Sequence, residues 1–153
     1  MLLVMMKITL AHVGGRAAAR DGYEALVNEY LERSSAFAPT TAEAFRSEAA
    51  LLERIERQRG RAPVVVLLDS RGRQMTSEAF AAWLGARRDE GVQQMLFAVG
   101  PADGWSEAAR NRAQLVLSLG PMTVAHALAR LVMAEQIYRA LTILAGHPYH
   151  TGH

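Results

Sequence analysis

The chain has 153 residues, of which half are hydrophobic and 21% are charged, and it contains no cysteine. This length favours one domain, predicted over residues 1–153, and the composition excludes a disordered or low-complexity protein. The absence of cysteine excludes a disulfide scaffold, a cysteine nucleophile and a thiolate metal site. It is consistent with a reducing cytoplasm, which is the compartment we expect.

The first half of the chain predicts two strands and two helices. The strands are predicted at 2–13 and 64–68, and the helices at 21–37 and 40–60. Pro39 ends the first helix, and the spacing of Thr40 and Glu43 matches a capping box that opens the second. The continuous apolar run at 64–68 is typical of a strand that is buried on both faces.

The second half predicts a regular alternation of helices and strands. In chain order these are a helix at 77–91, a strand at 95–99, a helix at 105–113, a strand at 115–119 and a helix at 123–145. The segment from Asp69 to Gly72 is predicted to be a turn, with Ser77 as the cap of the helix that follows. Gly146 is predicted to end the last helix.

Alternating strands and helices predict an α/β fold, in which a mostly parallel sheet carries helices on both faces. Ligands bind such sheets beyond the carboxyl ends of the strands. The site is therefore expected near Leu68-Asp69, Val99-Gly100 and Leu119-Gly120.

The segment from Gly100 to Gly104 follows a strand, and its glycines would allow a close approach of backbone to a phosphate. No Gly-Lys-Ser/Thr sequence follows, which excludes a Walker loop, and the spacing of a dinucleotide fingerprint is absent. On its own this segment is interpreted as an ordinary strand-to-helix turn.

Polar residues cluster at the C-terminal end of the chain. On the last helix His126 shares a face with Arg130, and Glu135 shares one with Arg139, for which a surface ion pair is the simpler interpretation. Tail residues 147–153 hold three histidines, and a frayed tail is favoured over a metal pair because no acidic ligand lies nearby. We predict no metal site. These residues do not by themselves identify a reaction.

The charge pattern does not by itself identify a partner. Sixteen of the seventeen basic residues are arginine, which suits phosphate binding, but the formal net charge is only +2. Segment 54–73 has a local balance of +4, and we interpret it as a solvated helix end. No segment approaches the roughly 20 apolar residues of a membrane span. Residues 1–5 lack the basic start of a signal peptide and are predicted to be an N-terminal extension.

Three segments in the C-terminal third carry a specific resemblance to a known family. They are LSLGPMTVAH at 117–126, AEQIYRA at 134–140 and GHPYH at 146–150. In order and spacing they closely resemble the RlmH family, SPOUT-class methyltransferases that modify a pseudouridine of 23S ribosomal RNA at N3. The resemblance covers nearly the whole chain from Met6, with supporting matches at 67–72 and 97–100, and is weakest from Arg33 to Arg61.

The resemblance implies a C-terminal trefoil knot, S-adenosylmethionine as the cofactor, and a homodimer whose active site uses both subunits. It implies 23S ribosomal RNA in the ribosome as the substrate. The cofactor-binding residues carried over by matching position are Leu68, Gly100, Pro101, Gly104, Leu119, Gly120, Pro121, Met122, Thr123, Val124 and Ala125.

The acceptor nitrogen N3 must lose a proton during methyl transfer, and the sequence does not single out the base. Arg130 and Arg139 suit phosphate groups or base carbonyls, and Tyr149 is placed to stack on a flipped base. The candidate catalytic residues are His126, Arg130, Glu135, Tyr138, Arg139, Tyr149 and His150.

Several positions depart from the family pattern. Pro101 stands where a second glycine is usual, which removes a backbone N–H from the loop. Ala125 stands where proline is common, Ala127 where glutamine is common, and Thr151 where an arginine usually follows the HPYH sequence. Two alternatives therefore stay open: an RNA-binding or ribosome-assembly protein that does not transfer methyl groups, and a methyltransferase with another RNA target.

Overall fold

The computed structural model describes residues 6–14, 22–58, 60–101 and 103–151, which form a five-stranded parallel sheet in the order β2-β1-β4-β3-β5. The strands are β1 (Lys7–Val13), β2 (Thr40–Phe45), β3 (Val64–Gln74), β4 (Gln94–Val99) and β5 (Leu115–Ser118). The helices are α1 (Gly22–Ser34), α2 (Glu48–Glu56), α3 (Ser77–Asp89), α4 (Glu107–Arg112) and α5 (His126–Ala145). A 3₁₀ turn at Pro148–His150 follows α5.

The sheet is covered on both faces, as the sequence predicts for an α/β fold. One apolar core joins the sheet to α1, α3 and α5, with Phe97 and Ile137 fully buried in it. A second core on the opposite face joins the sheet to α2 and α4 through residues such as Leu51 and Ile55. The central strands β3 and β4 face both cores, which explains why their sequences are continuously apolar.

The predicted helix start at Thr40 is wrong, because residues 40–45 form the edge strand β2. This strand pairs in parallel with β1, from Ile8 opposite Thr40 to Val13 opposite Phe45. The helix begins at Glu48, after Ser47, whose hydroxyl accepts a hydrogen bond of 3.1 Å from the Ala50 N–H. Threonine suits a strand as well as a helix cap, and pairing with β1 decides between them.

The predicted turn from Asp69 to Gly72 is also wrong, because β3 runs on to Gln74. Its register against β5 shifts within this segment, so that Leu68 and Arg73 both oppose Leu117. A Cβ on Gly72 would lie 2.6 Å from the Val116 carbonyl oxygen, which explains the glycine at this irregular point.

The remaining boundaries differ from the predictions by a few residues. Thr76, rather than Ser77, caps α3, since its hydroxyl accepts from the Ala79 N–H at 3.0 Å. The last helix begins at His126, so residues 120–125 form a loop before it. It ends at Gly146 as predicted, with a positive φ of 71°. Residues 2–5 of the first predicted strand and Asp21 of the first predicted helix lie outside the described residues.

Ile55 anchors α2 to the second core, with 1% of its surface exposed. We expect Ile55→Ala to lower the free energy of unfolding by about 2–5 kcal/mol, because it leaves a cavity between α2 and the sheet. Urea unfolding followed by circular dichroism measures the loss. Leu52→Ala, on the same helix but only partly buried, is the matched control and should lose less. Equal losses would contradict this placement of α2.

Candidate active site

The carboxyl ends of β4 and β5 open onto one cavity of about 390 Å³, together with residues 68–70 of β3, where the pairing of β3 with β4 ends. This volume falls within the range of roughly 300–1,000 Å³ that is usual for small-molecule sites. Its lining residues come from these strand ends and from the first turn of α5. They are Leu68, Asp69, Ser70, Val99, Gly100, Pro101, Gly104, Trp105, Leu119, Gly120, Met122, Thr123, Val124, Ala125, His126 and Ala129.

The cavity contains all but one of the residues assigned to the cofactor from the sequence. The exception is Pro121, which is not among the lining residues. Asp69 and Val99 were expected near the site as predicted strand ends, although they were not assigned to the cofactor, and both line the cavity. Sequence reasoning missed Ser70, Trp105 and Ala129, and no sequence pattern marked Trp105.

Two turns give the cavity its backbone walls. The Gly104 N–H donates to the Pro101 carbonyl at 2.9 Å, and Gly104 has a φ of +84°. Gly120 has a φ of +137°, and a Cβ built there would meet no protein atom within 4 Å. The Gly120 turn is tied to the end of β5, because Ser118 Oγ accepts from the Gly120 N–H and donates to its carbonyl, both at 3.0 Å.

A buried carboxylate lies on the β3 side of the cavity. The side chain of Asp69 forms an ion pair with Arg110, and its Oδ1 accepts from the Arg71 N–H at 2.9 Å. Burial would raise the pKa of Asp69, but the hydrogen bonds from Arg71 and Arg110 outweigh it and hold the pKa below its usual value. Asp69 is therefore ionised at neutral pH and holds the two arginines beside the cavity.

Four ionisable side chains meet where β1, α1 and α5 come together. The rings of His12 and His126 lie 6.0 Å apart in a T-shaped arrangement. Arg130 is only 6% exposed and forms an ion pair with Glu24, so its guanidinium faces α1 rather than solvent. His12 and Glu24 have no motif around them, and sequence reasoning missed both.

Burial is the largest influence on both histidines of this cluster and lowers their pKa values. Arg130 lowers them further, because a second positive charge nearby disfavours protonation. The negative charge of Glu24 raises the pKa of His12, and hydrogen bonds with the backbone of Val13 and Val99 raise the pKa of His126. The two rings are therefore neutral at pH 7, and His126 presents a neutral imidazole at the cavity.

A second polar group lies further along α5. The Glu135 carboxylate accepts from Arg139 Nη2 at 2.8 Å and from the Tyr149 hydroxyl at 2.9 Å. Burial and the hydrogen bonds to Tyr30 and Glu135 raise the pKa of Tyr149. The Glu135–Arg139 pair is thus half-buried and linked to the tail, so the prediction of a simple surface pair is wrong. The prediction of a frayed tail is wrong for Pro148–His150, which form the 3₁₀ turn, whereas residues 152–153 lie outside the described residues.

Tyr138 is packed in an aromatic cluster beside this second group. Its ring lies 4.6 Å from that of Tyr149, 6.0 Å from that of Tyr30 and 6.2 Å from that of Phe37. Only 7% of Tyr138 is exposed, so its ring supports Tyr149. His150 lies in the same 3₁₀ turn as Tyr149, with its Nδ1 buried.

The seven candidate catalytic residues therefore lie in two places. His126 lines the cavity, with Arg130 one turn further along α5 and paired with Glu24. Glu135, Tyr138 and Arg139 follow on the same helix and contact Tyr149, whose turn also contains His150. Glu135 is nine positions after His126, which is about 14 Å along a helix that rises 1.5 Å per residue. One chain does not bring all seven together.

The cavity fits an amphipathic cofactor with an apolar body. Its walls are mainly backbone and apolar side chains, with the charged Asp69 and the neutral His126 as exceptions. The open face at Gly120 leaves room for a bound group to approach the backbone closely. Such a site holds a ligand through backbone groups and shape.

A family model described as "Predicted SPOUT methyltransferase" matches residues 6–150. The chain belongs to the SPOUT methyltransferase family. Ribosomal RNA large subunit methyltransferase H of Koribacter versatilis is 46% identical over 148 residues, which cover 97% of this chain and all of the relative. The protein of the same name from Brucella anthropi is 40% identical over 95% of this chain and 99% of its own length. The resemblance to the RlmH family is confirmed.

Solved structures support the SPOUT fold. A probable methylase family protein from Haemophilus influenzae Rd KW20 has a TM-score of 0.54 at 11% identity, over 97% of this chain and 71% of that chain. The SpoU methyltransferase AviRb from Streptomyces viridochromogenes, solved with the cofactor AdoMet, has a TM-score of 0.50 at 12% identity. That match covers 96% of this SPOUT chain, which spans 60% of the AviRb chain.

The described part of this SPOUT methyltransferase holds neither a metal site of histidine and acidic side chains nor a membrane-spanning helix. Within residues 6–14, 22–58, 60–101 and 103–151, no group of three or more histidine or acidic side chains is arranged to hold a metal ion. None of the helices in these ranges is both long and apolar enough to cross a membrane.

The buried histidines predict a pH-dependent stability. An unfolded histidine titrates near 6.5, whereas folding lowers the pKa of His12 and of His126. The unfolded chain thus binds protons first as the pH falls, and the stability that these groups contribute is complete above pH 6.5 and declines below it.

We expect Tm to fall between pH 7.5 and pH 5.5, and to fall less in His12→Gln. The exposed His147→Gln is the control, and an equal fall in all three proteins would contradict this assignment.

Proposed function

We propose that this protein is an S-adenosylmethionine-dependent methyltransferase that methylates N3 of a pseudouridine in 23S ribosomal RNA. The observation that carries the proposal is that one cavity, beside residues 68–70 of β3 and the ends of β4 and β5, gathers ten of the eleven positions assigned to the cofactor. The full-length similarity to ribosomal RNA large subunit methyltransferase H of Koribacter versatilis supports the RNA class. A ribosomal substrate implies that the protein acts in the cytoplasm.

The residues that would hold the cofactor are those of the two glycine turns and the end of β3. S-adenosylmethionine supplies an electrophilic methyl group when it is bound. The protein has little covalent chemistry to perform, so it acts mainly by positioning and by excluding water. Gly104 and Gly120 let the backbone approach closely, while Leu68 and Val99 provide apolar walls. His126, neutral at pH 7, adds no positive charge to a site that receives a sulfonium cation.

The group around Glu135 would receive the acceptor nucleotide. Its carboxylate holds the Arg139 guanidinium and the Tyr149 hydroxyl in fixed positions, which is the kind of preorganisation that base recognition requires. Arg139 also lies 5.3 Å from the centre of the Tyr149 ring. A planar cation and an aromatic ring in contact are suited to binding an unstacked base and its phosphate.

We propose a homodimer in which the cavity of one protomer faces the Glu135 group of the other. The separation of about 14 Å along α5 supports this arrangement, because one chain does not unite the two groups. An apolar surface also supports it, since large hydrophobic side chains are exposed near the cavity and on the neighbouring helices. They are Tyr23, Leu26, Leu119, Met122, Val124 and Leu128.

We also propose that the C-terminal segment forms the trefoil knot of the family. The sheet order, with β3 between β4 and β5 and with α5 following directly on β5, is consistent with that topology. Residues 119–125 would then form the part of the knot that holds the cofactor.

The proposed function is tested with purified protein and ribosomes from a strain that lacks its own copy of the enzyme. We expect binding of S-adenosylhomocysteine, incorporation of labelled methyl groups into 23S RNA, and an N3-methylated pseudouridine in the digested nucleosides by mass spectrometry. Ribosome binding without methyl incorporation would replace this proposal with a non-catalytic RNA-binding role. A methylated nucleoside at another site or in another RNA would reassign the substrate.

The composite active site is tested by mixing two inactive subunits. Gly120→Val damages the cavity, because a branched side chain is strained at a φ of +137° and occupies the open face, whereas Glu135→Ala removes the group that holds Tyr149 and Arg139. Each homodimer should be inactive. Co-expressed with different tags, the mixed dimer contains one intact site, so a random mixture should recover about one quarter of wild-type turnover.

Activity of the mixture that stays at the level of its parents would contradict a site shared between subunits. Gly120→Val should lose affinity for S-adenosylhomocysteine, whereas Glu135→Ala should retain it. This difference checks that the two variants damage different parts of the site.

A further inference from the structure

A hydrogen-bonded link crosses from α2 to the chain that borders the cavity. Glu48, the first residue of α2, accepts from the Ser106 N–H at 2.8 Å through Oε1 and from the Ser106 hydroxyl at 2.5 Å through Oε2. Ser47 already caps α2, so Glu48 is not needed to satisfy its own helix. Its carboxylate instead holds a residue 58 positions further along the chain.

Three hydrogen bonds fix the position of Ser106. Its hydroxyl donates to Glu48 and accepts from the Ala109 N–H at 3.1 Å, which caps α4. Its backbone N–H also donates to Glu48, so the backbone direction at Ser106 is fixed. The residue immediately before it, Trp105, is thereby oriented as well.

Trp105 connects β3 to the segment that follows β4. Its indole N–H donates to the Leu68 carbonyl at 2.9 Å, where the pairing of β3 with β4 ends. A Cβ on Gly100 would lie 2.6 Å from the same ring, so the indole packs directly against the backbone that follows β4. Trp105 lines the cavity but is only 4% exposed, so most of its ring is a buried support for the cavity wall.

The backbone that Trp105 supports contains two glycines, and glycine loses more conformational freedom on ordering than any other residue. Pro101 fixes one φ angle, and the Gly104 N–H closes the turn by donating to the Pro101 carbonyl at 2.9 Å. The indole adds a contact that ties this turn to β3. An anchor at the end of this segment lowers the entropy that ligand binding must overcome, and so raises affinity through preorganisation.

We propose that Glu48 and Trp105 are positioning residues for the cofactor, Glu48 acting through Ser106 and Trp105 acting on Leu68 and Gly100. This inference rests on the proposed function, because it takes the cavity to be the cofactor site. It assigns α2, on the face of the sheet opposite α5, a direct part in shaping that site. It also explains why a tryptophan and a glycine occur together here, since the indole occupies the space that a side chain at residue 100 would need.

The experiment measures binding of S-adenosylhomocysteine by calorimetry, together with the fluorescence of Trp105 in a Trp83→Phe background, which removes the other tryptophan. We expect Glu48→Ala and Trp105→Phe each to weaken binding about tenfold, the usual consequence of losing one or two hydrogen bonds. Glu48→Gln keeps the oxygen that accepts from the Ser106 N–H and should recover part of the affinity. Without ligand, Glu48→Ala should make Trp105 easier to quench with acrylamide.

Two controls separate positioning from general stability. Glu53→Ala lies on the same helix and removes only an exposed pair with Arg57, so it should bind within twofold of wild type. Val27→Ala, on α1 in the core of the opposite face, lowers stability away from both Ser106 and Trp105, so it should lower Tm and leave affinity unchanged at temperatures where the protein is folded. Glu48→Ala that binds like wild type, or Val27→Ala that loses as much affinity, would overturn the inference.

The two proposals fail in different ways. If wild-type protein does not bind S-adenosylhomocysteine, the proposed function is wrong. If wild type binds and the accessibility of Trp105 to acrylamide is the same in Glu48→Ala, the positioning role is wrong while the proposed function stands.

Discussion

Parallel pairing of β3 with both β4 and β5 is the constraint on which the site depends. Because these strands run in one direction, the pairing of β3 with β4 ends, at Leu68 and Val99, on the same side of the sheet as Ser118 at the end of β5. The segments that follow these three residues must then share one opening, although they are far apart in the chain. Ser118 illustrates the consequence, since its hydroxyl proton is shared between the Gly120 carbonyl and the Ser70 carbonyl, the latter at 3.1 Å, and so joins β5 to β3.

The helix α5 carries the polar candidate residues at fixed distances from one another. Met133 and Ile137 are buried against the sheet and fix the rotation of the helix about its axis, which also fixes the directions of its polar side chains. His126 then falls at the cavity and Glu135 falls two to three turns away. A helix of this length does not fold back on itself, which is why we propose that the second group serves the cavity of a partner subunit.

The errors of sequence-based prediction occur where one local pattern suits two structures. Thr40 and Glu43 have capping-box spacing, yet the threonine-rich segment gains more from pairing with β1 as an edge strand. Asp69 and Gly72 are common turn residues, yet the Asp69 carboxylate bonds to Arg71 and Arg110 while the chain stays extended beside β5. Neither competing partner is visible within a short window of sequence.

The sequence by itself determined the α/β class, the central strands, the end of α5 at Gly146 and most residues of the cavity. The fold class, the strands and the residues at the predicted strand ends follow from periodicity and glycine positions, whereas the other cavity residues were expected from the resemblance of local motifs to a known family. Tertiary structure alone decided that Glu24 meets Arg130 and His12 meets His126, that Glu48 reaches Ser106, and that Trp105 packs against Gly100. Each of these contacts joins residues far apart in the chain. The interaction energy of such a contact depends on the distance between the two side chains. Packing of the helices on the sheet sets that distance, and the periodicity of the sequence does not reveal it.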